Sequence, residues 1–228
     1  MQPLSSATIR VMLASSHQVV LWGLEKIIAG ERPKMEVIAK IANDADALRL
    51  AREKQPDILL LDLCLGNEKS VDLLPNLVKD GHIRILIFTE MNDRQDTIDR
   101  AVLNGASGVV YKEEPIQNIL KAIEKIHAGE LWFNRAITSR VLIKSLRIRG
   151  KALAIPDTGR IATLTRKERV IINAFAVEGG ASNKRIAEML CMGEQTLRNH
   201  LTSIFSKLEI TNRFELFMLA KRCYQPEA

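Results

Sequence analysis

The sequence predicts two domains, an α/β domain built on a five-stranded, doubly wound parallel sheet and a small all-α domain of four helices. Three observations support this division. Short apolar runs alternate with stretches of helical spacing through the first half of the 228 residues. From Leu164 onward the pattern is purely helical. Residues 1–128 hold 16 basic and 18 acidic side chains, whereas residues 129–228 hold 17 and 9, so a near-neutral domain precedes a basic one.

Five apolar runs rich in leucine or β-branched residues predict the strands, and the stretches between them predict the helices. Strands buried on both faces of a parallel sheet read as nearly continuous apolar runs. The strand segments are IRVMLA, MEVIAKI, DILLLDL, RILIFT and SGVVYK, and the helical segments are residues 17–29, 44–53, 68–79, 92–103 and 115–128. Sites in open sheets lie at the carboxyl ends of the strands, which here are marked by Ser15, Ser16, Asp62, Thr89 and Lys112.

A connector separates the two domains. Residues 130–150 hold enough apolar side chains for one helix, and Gly150, Pro156 and Gly159 then interrupt the pattern. The sequence therefore predicts a regulatory domain over residues 8–128, a linker with one helix over residues 129–160, and a helical domain over residues 161–224.

Four helix-start signals divide the C-terminal domain. Thr165 with Glu168 three residues later has the spacing of a capping box, and Ser182 is a favourable N-cap. Further helices are expected after Gly193 and from Thr211. The middle two helices are joined by the short segment CMG, which gives them a helix-turn-helix layout.

The second helix of this pair has an apolar face and a polar face. The polar face lacks acids and consists of Gln195, Asn199, Thr202, Ser203 and Ser206, with Arg198 at its edge. Amides, hydroxyls and a guanidinium are the groups that bond to DNA base edges and phosphates. The alternative is an ordinary solvated face that happens to lack acids.

Two stretches resemble known domain families. Residues 8–128 resemble the receiver domain of two-component response regulators in the segments PDILLLDL, ILIFT, NGASGVVYK and AIEKIHAGE. The segment from Leu164 to Arg213 is similar to a LuxR-type DNA-binding domain, with matches at LT, SNK, TLR and KL. The whole chain resembles a response regulator of the NarL/FixJ type, which implies a flavodoxin-like receiver and a helix-turn-helix output domain.

The receiver resemblance implies roles for three residues and reveals a departure at two others. Asp62 matches the aspartate that accepts a phosphoryl group from a histidine kinase, Thr89 the hydroxyl that bonds the phosphoryl oxygen, and Lys112 the cation that pairs with it. Ser15 and Ser16 stand where the family has two acids that hold Mg²⁺. Because Mg²⁺ prefers carboxylate oxygens, we expect no cofactor and no tight Mg²⁺ site.

A second departure lies three positions before the lysine, where the family has an aromatic residue and this chain has Val109. With the serine pair, it leads to the hypothesis of an atypical receiver, controlled by partner contacts, dimerisation or a small ligand. Conventional phosphorylation of Asp62 by a histidine kinase is the first alternative. A protein-interaction module with secondary DNA binding is the second.

The LuxR resemblance implies how the second domain binds double-stranded DNA. The candidate base contacts are Arg198, Asn199 and Thr202. The candidate phosphate contacts are Thr165, Arg166, Lys184, Thr196 and Lys207. One such domain makes few contacts, so we expect a homodimer. The candidate interface residues are Phe214, Phe217, Met218 and Lys221. The apolar members of this last set also suit the core of the domain.

Other classes of function find little support in the sequence. No nucleophile–base pair or metal cluster indicates an enzyme, and Cys64, Cys191 and Cys223 form neither a disulfide framework nor a zinc spacing. No apolar run reaches the length of a membrane span, and residues 1–10 do not resemble a secretory signal. We therefore expect a cytoplasmic transcription regulator, with a histidine kinase or another regulatory protein as a further partner.

Overall fold

The structure, a computed structural model, describes residues 8–63, 65, 68–78, 83–149, 158–178, 181–210 and 213–223. The chain divides into two compact units, Met1–His127 and Ala128–Ala228. Each unit has its own secondary structure and its own apolar core.

The first unit contains the predicted five-stranded parallel sheet, in the order β2-β1-β3-β4-β5. Its strands are β1 (Ile9–Ala14), β2 (Met35–Ile41), β3 (Ile58–Asp62), β4 (Arg84–Thr89) and β5 (Ala106–Tyr111). Every residue of the central strand β3 is buried, as expected for a strand covered on both faces. The order brings the carboxyl ends of β1, β3, β4 and β5 together at one edge.

A helix follows each strand, as the periodicity predicts. They are α1 (Gln18–Ala29), α2 (Asp44–Lys54), α3 (Leu74–Val78), α4 (Gln95–Leu103) and α5 (Ile116–His127). In α5, Ile119, Ala122, Ile123 and Ile126 form the buried stripe. Their spacing of three and four residues places them on the same side of the helix.

The segment predicted as one helix over residues 68–79 is instead a 3₁₀ helix, Glu68–Leu73, followed by the short α3. Pro75 explains the break, because it has no backbone N–H to donate to the carbonyl four residues earlier. That carbonyl belongs to Val71 and accepts a hydrogen bond from Asn104 Nδ2 at 3.0 Å.

In the described part of the second unit, the elements are helices. Its helices are α6 (Arg135–Arg149), α7 (Thr158–Ala162), α8 (Arg166–Val177), α9 (Asn183–Met189), α10 (Glu194–Leu208) and α11 (Arg213–Cys223). Helix α7 is an addition to the predicted set, and Gly159, which we expected to interrupt helical structure, lies within it. Among the residues that the structure describes, no helix is both long and apolar enough to cross a membrane.

Two of the predicted helix starts of this unit, at Thr165 and Ser182, coincide with observed N-caps. The capping box forms, with Thr165 accepting from the backbone of Glu168 and the Glu168 side chain accepting from the backbone of Thr165. Ser182 caps α9 by accepting from the backbone N–H of Arg185. Thr211 lies outside the described residues. The core joins α8, α9, α10 and α11, so it fixes the angle at which α10 is presented.

Candidate functional site

Four of the strand-end residues predicted from sequence converge at the carboxyl edge of the sheet. Asp62 ends β3 and Thr89 ends β4, while Ser15 directly follows β1 and Lys112 directly follows β5. Ser15, Asp62 and Thr89 are buried, with Asp62 and Thr89 both 0% exposed. Parallel pairing of neighbouring strands produces this convergence, because equivalent strand ends meet at one edge.

The two carboxylate oxygens of Asp62 have different partners. Ser15 Oγ donates a hydrogen bond to Oδ2 at 2.7 Å. Lys112 Nζ lies 3.2 Å from Oδ1. The exposed ring of His17 approaches less closely, with Nδ1 4.0 Å from Oδ2. Since a buried carboxylate is costly unless it is paired and hydrogen-bonded, these contacts account for its tolerance in the core.

The two serines lie in different surroundings. Ser15 Oγ donates to Asp62 and also accepts a hydrogen bond from the backbone N–H of His17 at 3.2 Å. Ser16 is exposed, and its Oγ lies 3.5 Å from His17 Nδ1. The sequence identified both as positions of missing acids. It did not predict that Ser15 would bond directly to Asp62.

Thr89 and Lys112 also have acidic partners that sequence reasoning missed. Thr89 Oγ1 donates to Asp93 Oδ2, which also accepts the backbone N–H of Glu90 at 2.8 Å. Lys112 Nζ lies 3.3 Å from Glu90 Oε1. The sequence signal for these contacts was the pair of acids Glu90 and Asp93, which lie in the segment that leads from the end of β4 into α4.

Position 109 lies inside β5 and is buried at 3% exposure. Its side chain is a valine, which lacks the large ring that the family resemblance implies at this point. Tyr111, two residues later, is only partly buried. The aromatic residue is therefore displaced along the strand and lies on the same face in a more exposed place.

The donor atoms at the sheet edge do not fit a bound Mg²⁺ ion. Ser15 offers a neutral hydroxyl, which is a weak ligand, and its oxygen already accepts the backbone N–H of His17 at 3.2 Å. Mg²⁺ demands octahedral oxygen ligands that usually include carboxylates. Within the described part of the chain, no group of three or more His, Cys, Asp or Glu side chains could hold a metal ion.

The second candidate site is the outer face of α10. Leu197, Leu201, Ile204 and Leu208 are buried and face the core of the helical unit. The predicted base contacts Asn199 and Thr202 are exposed, and the Arg198 side chain is 37% exposed. The helix therefore separates its apolar and polar faces as the sequence predicts.

The polar face of α10 carries side-chain pairs one turn apart. Arg198 Nη2 lies 2.7 Å from Glu194 Oε1, and Gln195 Nε2 donates to Asn199 Oδ1 at 3.2 Å. Thr202 Oγ1 donates to the backbone carbonyl of Arg198 at 3.2 Å. The sequence pattern predicted a face without acids. In the structure, Glu194 lies beside Arg198 at the edge of that face.

Two polar side chains of α10, those of Ser203 and Lys207, contact a buried acid. Ser203 Oγ donates to Glu168 Oε1 at 2.7 Å, and Lys207 Nζ lies 2.7 Å from Glu168 Oε2. Burial acts to raise the pKa of Glu168. Hydrogen bonds from Lys207, from the backbone of Thr165 and from Ser203 outweigh burial and lower the pKa to about 2.

The five predicted phosphate contacts differ in exposure. Thr165, Arg166, Lys184 and Thr196 are exposed. Lys207 is partly buried, and its ammonium bonds to both carboxylate oxygens of Glu168, at 2.9 and 2.7 Å. A phosphate contact by Lys207 would therefore share this ammonium with an internal ion pair.

The candidate dimer residues on α11 also differ. Phe214 and Met218 are buried, and the Phe214 ring packs edge-on against Phe133 with centroids 6.2 Å apart. Phe217 is partly buried, and the side chain of Lys221 lies outside the described residues. Phe214 and Met218 therefore contribute to packing within the unit.

Comparison with known proteins identifies the family of each of the two domains. The family described as "Response regulator receiver domain" matches residues 11–124, and the family described as "Bacterial regulatory proteins, luxR family" matches residues 162–220. The chain is 30% identical over 206 residues to the nitrate/nitrite response regulator protein NarL of Escherichia coli (strain K12), which covers 90% of this chain and 91% of NarL. It is 27% identical over 212 residues to the uncharacterized transcriptional regulatory protein YhcZ of Bacillus subtilis (strain 168), covering 92% and 94% of the two chains.

A solved structure of a response regulator is similar over nearly the whole chain. The response regulator ChrA of a haem-sensing two-component system has a TM-score of 0.50 and 25% identity, covering 95% of this chain and 98% of ChrA. The receiver match precedes the luxR match along this one chain, and response regulators with this pair of domains are transcription factors and not enzymes. The chain belongs to the NarL/LuxR family of two-component response regulators, with a receiver domain followed by a LuxR-type helix-turn-helix domain that binds DNA.

Proposed function

We propose that this transcription regulator binds specific DNA sequences as a cytoplasmic homodimer, and that its receiver is not controlled by Mg²⁺-dependent phosphorylation of Asp62. One observation carries the second part of the proposal. A neutral hydroxyl, Ser15 Oγ, lies 2.7 Å from Asp62 Oδ2, at the position where the family resemblance calls for an acid.

Loss of the metal affects the rate of phosphoryl transfer through simple electrostatics. A phosphoryl group that approaches Asp62 brings two anions together, and Lys112 is the cation 3.2 Å from that carboxylate. One contact between unit charges at about 4 Å is worth on the order of 4 kcal/mol at an effective dielectric of about 20. Removing that contact from the transition state slows the reaction roughly a thousandfold. Control by partner contacts, by dimerisation or by a small ligand then replaces phosphorylation.

The test is incubation of the full chain with Mg²⁺ and acetyl phosphate, followed by intact-mass measurement. We expect little modification, and the same small amount with Mg²⁺ as with a chelator. The matched control is Asp62→Asn, which removes the acceptor and identifies any modification elsewhere. Prompt, stoichiometric phosphorylation that requires both Asp62 and Mg²⁺ would contradict the proposal.

Conventional phosphorylation by a histidine kinase is the second candidate, and the convergence of three side chains favours it. Asp62, Thr89 and Lys112 meet at the sheet edge as the resemblance implies for a working receiver. In the structure, however, Thr89 Oγ1 donates to Asp93. The mass measurement distinguishes the two candidates, because only conventional chemistry depends on Mg²⁺.

The DNA-binding surface that we propose is centred on α10. Arg198, Asn199 and Thr202 are assigned to bases, since Arg can bind guanine and Asn can bind adenine in the major groove. The residues assigned to phosphates are Thr165, Arg166, Lys184, Thr196 and Lys207. All of these residues are exposed except Arg198 and Lys207, which are partly buried. This exposure supports the assignment.

The homodimer follows from the small size of one helix-turn-helix unit, which reads only one half-site. Helix α11 is the proposed interface, with Phe217 and Lys221 as candidate contacts and with the buried Phe214 and Met218 supporting the helix from within the unit. A histidine kinase or another regulatory protein is the proposed partner of the receiver. Gel-shift experiments on genomic fragments separate this function from that of a protein-interaction module, for which DNA binding would be weak and unspecific.

A further inference from the structure

The exposed face of α10 contains an ion pair that bears on how DNA sequences are distinguished. Glu194 Oε1 and Arg198 Nη2 are 2.7 Å apart, and both side chains are 37% exposed. The two residues are one helical turn apart, with the acid on the N-terminal side, which is the favourable orientation for such a pair. The acid therefore lies at the edge of the surface that meets a polyanion.

The pair restricts the position of Arg198. An arginine carries five N–H donors in a planar fork, so a carboxylate on one terminal nitrogen still leaves donors for a base. A guanine accepts two of them, at O6 and N7. Fixing the guanidinium before DNA arrives also reduces the rotamer entropy that a long side chain loses on binding.

The same acid weakens contacts that carry no sequence information. Binding to unrelated DNA depends on attraction between cations and phosphates. A carboxylate on this surface repels phosphates, and it partly neutralises the charge of Arg198. Repulsion of the wrong partner raises specificity even when it lowers total affinity.

We propose that Glu194 is a specificity-determining residue of the DNA-binding surface, which positions Arg198 for one base and opposes binding to unrelated sequences. This inference rests on the proposed sequence-specific binding through α10. Glu194 acts through Arg198 and through its charge, and it is not itself assigned to a base.

The experiment compares the full-length wild type with Glu194→Gln and Glu194→Ala. The wild type first selects its preferred duplex from a randomised pool, and Kd is then measured on that duplex and on a scrambled one at several salt concentrations. We expect Glu194→Gln to bind the scrambled duplex more tightly. The ratio of the two affinities should fall about five- to tenfold, a fraction of what one base contact supplies. Glu194→Ala, which also loses the acceptor for Arg198, should reduce the ratio further.

The control is Glu209→Gln. Glu209 Oε2 pairs with Arg160 Nη1 at 2.9 Å, so this change removes the same charge and also breaks an exposed ion pair with an arginine. We expect its affinity ratio to match the wild type. A Glu194→Gln ratio equal to that of the wild type would overturn the inference and leave Glu194 as a stabilising acid in the first turn of the helix. If the wild type selects no sequence at all, the proposed function fails, and this inference fails with it.

Discussion

The carboxylate of Asp62 is buried at the sheet edge and has partners from the ends of two other strands. Ser15 supplies a hydrogen-bond donor to Oδ2 where a second carboxylate would repel it. Lys112 supplies a positive charge near Oδ1. The buried acid thus has a partner for each oxygen from this chain alone, and it needs no metal ion to be tolerated.

Replacing Ser15 with alanine tests this arrangement. We expect Ser15→Ala to lower the free energy of unfolding of the receiver by about 1.5–3 kcal/mol, the range for a hydrogen bond to a charged group. The measurement is denaturant unfolding of the full chain, followed through the receiver transition. Ser16→Ala is the matched control and should change stability by less than about 0.5 kcal/mol, because Ser16 is exposed. Equal effects of the two changes would contradict the role given to Ser15.

At the proposed DNA-binding surface, losing a base contact and losing a phosphate contact should affect DNA binding differently. We expect Arg198→Ala to cost about 1–3 kcal/mol on the preferred duplex and to relax the choice of base at one position. Lys184→Ala should weaken binding to all duplexes by a similar factor and lower the salt dependence. Competition binding on the selected and scrambled duplexes measures both effects. Equal losses on both duplexes for Arg198→Ala would refute base reading.

The sequence predicted which residues meet at the sheet edge but not what their side chains contact. Strand ends follow from the apolar runs, and parallel pairing then places Asp62, Thr89 and Lys112 together. The bond from Ser15 to Asp62 joins residues 47 positions apart. Such contacts depend on strand register and on rotamers, which periodicity does not specify.

Among the elements, α8 and α10 are joined by a buried carboxylate. Glu168 in the first turn of α8 accepts hydrogen bonds from Ser203 and Lys207 of α10. It also closes the capping box with Thr165. One side chain therefore caps α8 and holds α10 against it.

This contact predicts a loss of stability in acid. The pKa of Glu168 is about 2 in the folded chain and 4.5 for the ordinary side chain, so the unfolded state binds the proton more tightly. The contribution is fully present above about pH 4.5 and disappears as the pH falls toward 2, and it amounts to about 3 kcal/mol. The free energy of unfolding of the helical domain, measured between these pH values, should decrease along this slope as the pH falls.

The matched variants are Glu168→Gln and Glu188→Gln, the second at an exposed acid of α9. The Glu168→Gln variant should have a lower free energy of unfolding than the wild type at neutral pH. Its free energy of unfolding should also change less as the pH falls. Glu188→Gln should retain the wild-type slope. If the slope survives in Glu168→Gln, its source is another group.

Local signals predicted most elements and failed where two signals compete. The N-caps Thr165 and Ser182 marked the starts of α8 and α9, because their oxygens accept from the first turn. Pro75 divided a segment with helical periodicity, since the ring removes a backbone donor. Gly159 predicted an interruption, but glycine only disfavours a helix and does not prevent one.

For the whole molecule, the separation of charge indicates separate tasks for the two units. The C-terminal 100 residues carry the excess of basic side chains that a polyanion attracts, whereas the receiver is nearly neutral. This difference in charge can be predicted from the sequence, because it depends only on the amino-acid composition of the two halves. Composition does not specify the dimer, since an interface depends on which apolar side chains remain outside the core.

The dimer predicts the stoichiometry of the DNA complex. We expect two chains on each selected duplex, with two half-sites about one helical turn apart. Analytical ultracentrifugation of the complex at saturation measures this number. A duplex cut to one half-site should bind more weakly and hold a single chain. One chain on the intact site at saturation would contradict the homodimer.

The central claim concerns the metal, and calorimetric titration of the full chain with MgCl₂ tests it most directly. The double variant Ser15→Asp/Ser16→Asp, which restores two carboxylates beside Asp62, shows that the instrument can detect the site. We expect no saturable binding at millimolar Mg²⁺ in the wild type and one ion per chain in the variant. Saturable binding of one Mg²⁺ ion by the wild type, lost on Asp62→Asn, would contradict the claim.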